Sequence, residues 1–435
     1  MKQGREKSGR KGGLTRREFM KTSLTGAAGI AVGSSLGPSI VRAQTQKPIK
    51  LGLFGVTSGP IGMSGEASFR GVKLWAEQVN GRGGLLGRKV EVMQRDTLNK
   101  PEEAVRYARE YASSGDIDFI FAHGSSAEAF AVAAVSKDIK RLIISTPETT
   151  EYTADPKVRS PYCFRATRNC LLDNIVSGKY AAKISSDMGL TRWYTIAGDY
   201  SYGRDSVNLF VEFLKKFNPK VEVVGQAWPK LGEPDFTPHI TALMGAKPQA
   251  VFSVLYAGDI VSFIKQGGMY GIFDKSKWFM KDLSEYQVIN SIITALGKFP
   301  AGLYSGTRYL RIFPDTKANH DFNDAHAKLF GSRPLNWTWA NYTGALLLEE
   351  AVKKAKTTEN DAVIRALKDL SIKAPTGAGS DGTVTMRGRD HQLINYSMGW
   401  GVTIPEEPYL SNIFSGSWNE MIAEETAWLK NKGWL

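Results

Sequence analysis

Residues 49–54, Ile-Lys-Leu-Gly-Leu-Phe, form a short apolar run, and Phe69, Val72, Ala76 and Val79 then recur at the spacing of one helical face before a second run, Lys89-Val90-Glu91-Val92-Met93. A strand, an amphipathic helix ending near Asn80-Gly81 and another strand make a βαβ unit, which requires a parallel sheet. The rhythm continues outward from there. A helix opens at Pro101 and runs to Ser114, Ile117–Phe121 is a third strand, Ser126–Lys137 a helix and Arg141–Ser145 a fourth strand. Alternation of this kind predicts an α/β fold with helices on both faces of the sheet.

The extended stretch Pro161-Tyr162-Cys163-Phe164-Arg165 breaks the rhythm, and a second series follows. Its strands fall at 193–196, 221–227, 250–255 and 278–280, with helices at 206–216 and 259–267 between them. Two Rossmann-like lobes in tandem imply a cleft. The last third is mixed, with helices predicted at 339–356 and 361–370 and strands at 383–386 and 395–402.

The length of 435 residues suits two lobes with cores of their own, and 42% hydrophobic with 23% charged residues is ordinary globular composition. A formal charge of +13 raises the question of a polyanionic partner, but residues 1–43 hold nine Lys/Arg against two Asp/Glu, so +7 of it lies there. The remainder is scattered and predicts no nucleic acid partner. The basic N-terminus is laid out as an export signal. Thr15-Arg16-Arg17-Glu18-Phe19-Met20-Lys21 resembles a twin-arginine motif, a Gly/Ala/Ser-rich run extends from Thr22 to Ile40, and Val41-Arg42-Ala43 would be cleaved to leave Gln44 first. Nothing downstream is apolar for long enough to span a bilayer.

Two cysteines, Cys163 and Cys170, exclude a four-cysteine metal site or cluster and leave open either a disulfide or two separate buried thiols. Gly124-Ser125-Ser126-Ala127-Glu128 lacks the second glycine of a nucleophile elbow, and the glycines around Arg82 follow a helix instead of opening one, the reverse of a dinucleotide-binding turn. No pair among the five histidines has metal-ligand spacing, and His391 beside Asp390 reads as a structural hydrogen bond. No catalytic group, metal or cofactor is expected.

The string Asn80-Gly81-Arg82-Gly83-Gly84-Leu85-Leu86-Gly87-Arg88-Lys89-Val90 is similar to a turn of the branched-chain amino acid (leucine/isoleucine/valine) binding proteins, and further similarities lie at Gly52–Pro60, Arg95-Asp96, Gly124–Ser126, Tyr162–Arg165, Asp199–Gly203 and Arg389–Gln392. Together they cover most of residues 48–400. The resemblance implies a type I periplasmic binding fold with three crossovers, near Ala166, near Gly302–Gly306 and near Asn395–Ser397. Lobe 1 would then hold residues 44–166 and 303–396, and lobe 2 residues 167–302 and 397–435.

The resemblance also implies a site. Ser126, with Ser125 beside it, would take a ligand carboxylate at the start of a helix, where backbone donors and the dipole favour an anion. Pro147 through its carbonyl and Thr149 through its hydroxyl would face a ligand ammonium, although Glu148 between them departs from the family's small-residue run. Tyr202, Tyr256 and Asp282 are the candidates from the second lobe. Each has a plainer reading: Ser126 as a helix cap, Thr149 as a turn residue and the tyrosines as core aromatics. Trp193, Trp228, Trp278 and Trp337 read as packing residues. The function implied is the monomeric periplasmic substrate-binding component of an ABC importer, delivering an amino acid, amide or aromatic acid to a permease and its ATPase. A ligand sensor signalling to a receptor or regulator is the alternative.

Overall fold

A computed structural model describes residues 47–59, 61–256, 258–378 and 381–435. The export signal assigned to residues 1–43 lies outside them. The first lobe is built from β1 (Ile49–Gly55), α1 (Gly62–Gly81), β2 (Val90–Asp96), α2 (Pro101–Ser113), β3 (Phe119–His123), α3 (Ser126–Ile139), β4 (Ile143–Ser145), the short α4 (Glu151–Ala154) and β5 (Cys163–Arg165). The chain then enters a second sheet through α5 (Cys170–Met188), β6 (Arg192–Ala197), α6 (Ser201–Phe217), β7 (Glu222–Ala227), α7 (Thr237–Ala246), β8 (Ala250–Val254), α8 (Gly258–Met269), β9 (Lys277–Glu285), α9 (Tyr286–Leu296) and β10 (Tyr304–Tyr309). It returns to the first lobe for α10 (Lys317–Phe330), α11 (Asn336–Ala355), α12 (Asn360–Leu367), β11 (Leu370–Ala378), β12 (Thr383–Arg387) and β13 (Gln392–Ile394). β14 (Gly399–Thr403), β15 (Leu410–Ser415) and α13 (Trp418–Asn431) complete the second.

The sheet orders are β11-β12-β13-β5-β4-β3-β1-β2 and β15-β14-β10-β9-β8-β6-β7. Within each, the βαβ strands pair parallel and the late additions at one edge pair antiparallel, except that β13 joins β5 in parallel. The crossover expected at Gly302–Gly306 is corrected: β10 pairs parallel with β9 and antiparallel with β14, so residues 304–309 belong to the second lobe and the chain leaves that sheet only after Tyr309. Which sheet a strand joins is decided by partners distant in sequence, and β10 carries too many polar residues to declare its neighbours.

The turn after α1 shows why its sequence is so particular. The Asn80 amide accepts from Val90 N–H at 2.8 Å and donates to Val90 C=O at 2.9 Å, clipping the end of the helix to the start of β2. Between them Gly83 and Gly84 take φ of 97° and 86°, and a Cβ on Gly84 would lie 2.1 Å from the Arg88 carbonyl. Only glycine fits there. Leu85 turns inward from this loop to the core, while Leu86 is exposed.

Side chains tie the three crossings together. Arg168, in the first, is held by Asp173 at 2.8 Å and donates to the Thr307 carbonyl in β10. The Thr307 hydroxyl in turn accepts from Gly399 N–H at 3.0 Å. Asn169 N–H donates to the Tyr396 hydroxyl at 3.0 Å, joining the first crossing to the last. Cys163 and Cys170 are both free thiols, on either side of the first crossing. The structural hydrogen bond expected between Asp390 and His391 gives way to one from each residue to another partner: Asp390 accepts from Arg387 at 2.6 Å, and His391 Nδ1 donates to the Cys163 carbonyl at 3.2 Å.

Candidate functional site

In an open α/β sheet the carboxyl ends of the strands bound the ligand crevice. Here they meet across one small cavity of about 70 Å³. The first lobe contributes His123 at the end of β3, Gly124, Ser125 and Ser126 leading into α3, Thr146, Pro147 and Glu148 after β4, Ile61 and Ser64 at the start of α1, and Trp337 in the first turn of α11. The second contributes Tyr200 and Tyr202 after β6, Leu231, Tyr256 after β8 and Arg308 in β10. A larger hollow of about 630 Å³ separates α1 from α9, but its arginines are engaged along its rim, Arg70 with Ser332 and Arg333 with Glu407. The strand-end cavity is where buried charge and aromatic rings converge.

Arg308 is the centre of that convergence. Its Nη1 donates to Glu148 at 2.9 Å and to Asp282 at 3.1 Å, while its guanidinium lies 5.1 Å from the Trp337 ring and 5.6 Å from the Tyr256 ring. The Tyr202 hydroxyl donates to Asp282 at 3.1 Å, and Asn336 Nδ2 donates to the other oxygen of Glu148 at 3.3 Å. Burial works to raise the Glu148 pKa, but Arg308, Arg168 and Lys281 outweigh it and hold the carboxyl below its ordinary range. For Asp282 burial prevails and the pKa goes up. Burial disfavours the Arg308 charge, yet Glu148 and Asp282 together keep that group firmly protonated.

His123 forms the floor. The Ser64 hydroxyl donates to the Ile61 carbonyl at 2.6 Å, so it accepts from His123 Nε2–H at 2.8 Å, and Nδ1 accepts from the Thr146 hydroxyl at 2.6 Å. Burial drives the His123 pKa down to about 3, so the ring is neutral. It packs 4.8 Å from Trp337, whose indole N–H donates to the Tyr256 hydroxyl of the other lobe at 2.7 Å.

Of the residues nominated from sequence, Ser125, Ser126, Pro147, Tyr202 and Tyr256 line the cavity. Ser125 N–H is taken by Glu128 at 2.8 Å, which leaves Ser126 to open the helix. Two of the nominated residues, Thr149 and Asp282, fall outside that lining. Thr149 is fully buried outside the lining, its carbonyl turned to Arg165, and the Pro147 carbonyl also faces Arg165 at 3.4 Å. Asp282 lies behind Arg308 as its counter-ion and does not line the cavity. Trp337, expected only to pack, is a wall of the site. His123 and Arg308 were missed, although both stand at or near strand ends, and the strand-end argument used for Tyr256 applies equally to them.

The model of the family described as "Periplasmic binding protein" matches residues 48–399. The chain belongs to that family. Among curated relatives, this periplasmic binding protein is 25% identical over 354 residues to Leu/Ile/Val-binding protein homolog 7 of Brucella abortus (strain 2308), covering 76% of the chain and 84% of the relative. Among solved structures, it superposes with a TM-score of 0.74 and 24% identity on an ABC transporter solute-binding protein of Rhodopseudomonas palustris BisB5 in complex with 3,4-dihydroxybenzoic acid, covering 85% of this chain and 97% of that one. An amino acid ABC transporter substrate-binding protein of Pseudomonas fluorescens Pf-5 gives 0.73 at 20% identity, covering 85% and 95%. The fold of this periplasmic binding protein is therefore that of ABC transporter solute-binding proteins.

Proposed function

We propose that the protein is the capture component of an ABC importer: it closes around a small solute, an amino acid, amide or aromatic acid, and delivers it to a membrane permease and its ATPase. It binds without chemistry and acts as a monomer. It is exported by a twin-arginine signal at residues 1–43, and lobe 1 ends its first segment near Ala166. The observation that carries this reading is one cavity lined from the strand ends of both sheets, with Trp337 and Tyr256 bonded across it at 2.7 Å. A cleft lined in this way encloses its ligand only when the lobes approach, which suits a hinge at the three crossings. The named ligands of similar solute-binding proteins support a small organic solute.

A thermal-shift screen across those three solute classes finds the ligand, because binding to the folded state alone raises the melting temperature. Small-angle scattering at saturation should then show a smaller radius of gyration. An unchanged profile with bound ligand counts against capture by closure. Replacing Arg16 and Arg17 together with Lys should abolish export, and undiminished export would sink the twin-arginine assignment.

A further inference from the structure

We propose that Arg308 stands in the place of a ligand ammonium, so that the cleft selects aromatic monocarboxylates lacking an α-amino group. The proposal rests on the cleft being the solute site. Glu148 of the first lobe and Asp282 of the second converge from opposite sides, an arrangement suited to holding a cation between the lobes. The protein supplies that cation itself, with Nη1 at 2.9 Å and 3.1 Å from the two carboxylates. A second buried cation, Lys281, is bonded to Ser206 at 3.0 Å and lies against the Tyr202 ring, so two positive charges already answer the two carboxylates. The remaining nearby acid, Glu285, accepts the Asn336 N–H at 2.7 Å. A ligand ammonium would have to displace a guanidinium held by two carboxylates and two aromatic rings, or be buried beside it as a like charge.

The groups left without partners have the opposite character. Arg308 is 4% exposed, lines the cavity, and has no hydrogen-bond partner for Nε among the described residues. All three of its bonds to Glu148, Asp282 and the Tyr202 hydroxyl leave from Nη1, so Nε–H is a buried donor still without a partner, and a carboxylate is the acceptor that best completes a guanidinium in that state. Ser126 opens α3 on the same cavity, adding a backbone donor and the positive end of the helix. The walls are Tyr200, Tyr202, Tyr256 and Trp337, and a flat ring is the shape that packs best among four others in so small a space.

Calorimetric titration of the purified protein with matched pairs tests this, because phenylacetate and phenylglycine, or 3-phenylpropionate and phenylalanine, differ only by the ammonium. Benzoate serves as the smallest probe. Within each pair the acid without the ammonium should bind at least about tenfold tighter, equivalent to about 1.4 kcal/mol. Equal or tighter binding of the amino acid overturns the assignment. Arg308→Met frees both carboxylates and should narrow or reverse the preference; should that variant fail to fold, Glu148→Gln, which removes one carboxylate, should widen it. A preference unchanged in the folded variant also overturns the role of Arg308. Compaction by an amino acid alone defeats this proposal and leaves the importer reading standing, whereas silence from every amino acid, amide and aromatic acid defeats both.

Discussion

Arg308 Nη1 and Glu148 Oε2 stand 2.9 Å apart although β10 and the loop after β4 belong to different lobes, so a buried ion pair bridges the cleft. Both side chains are almost entirely enclosed. Such a pair contributes little net stability relative to an apolar filling, but removing one partner strands the other.

Glu148→Gln keeps the shape and the amide can still accept from Arg308, while Asp282 remains as counter-ion. The expected loss of unfolding free energy is therefore moderate, about 1–3 kcal/mol, read from urea unfolding near neutral pH. The difference from wild type should shrink in acid. The Glu148 pKa is depressed in the folded protein, so its contribution is present above the unfolded value of about 4.3 and disappears as pH falls through the lower folded value. A difference that grows below pH ~4 would contradict the pairing.

Three histidines predict a second acid sensitivity at higher pH. Burial holds His123 at about 3, and His326 and His391 at about 4 each. Their unfolded counterparts bind protons near pH 6.5, so between roughly pH 6.5 and 4 the unfolded chain carries more protons and stability falls as pH falls. Each histidine adds at most about 1.4 kcal/mol per pH unit in that window. His391→Gln should reduce the slope of stability against pH by up to one proton. An unchanged slope would mean that His391 is charged in the folded state.

The bond between Trp337 and Tyr256 joins the two lobes directly, so its loss should appear in ligand binding more than in folding. Trp337→Phe and Tyr256→Phe each remove the bond while keeping a ring, and each should weaken binding about three- to tenfold. The double variant should lose less than the product of the two, because the same bond is lost in both. Simple multiplication of the two effects would show the bond to be irrelevant to closure.

Asn80→Ala tests the clip between α1 and β2. It removes two hydrogen bonds to the Val90 backbone, one acceptor and one donor, at an expected cost of about 1–3 kcal/mol of stability. The clip is remote from the cavity lining, so affinity measured well below the melting temperature should be unchanged. A large affinity loss would show that this turn shapes the cleft.

The fold was legible because the first lobe advertises itself locally. The face of Phe69, Val72, Ala76 and Val79 is buried as its spacing requires, and Gly83, Gly84 and Gly87 take left-handed φ that leaves little choice of residue. The site was less legible because its decisive residue sits in a strand whose partners come from elsewhere in the chain. Nothing near Arg308 in sequence announces that Glu148, 160 positions earlier, will face it. Thr149 lies outside the lining for a related reason: its carbonyl is held by Arg165, 16 positions later in the chain.

Because the Trp337 indole is bonded to a tyrosine hydroxyl on the opposite lobe and packed at a tilt against a neutral imidazole, separation of the lobes would change its surroundings from polar and enclosed to wet. The molecule thus carries its own optical gauge. Comparing emission of the wild type with Trp337→Phe isolates that one fluorophore from the other nine tryptophans, and the difference spectrum would let a solute be counted without any attached dye.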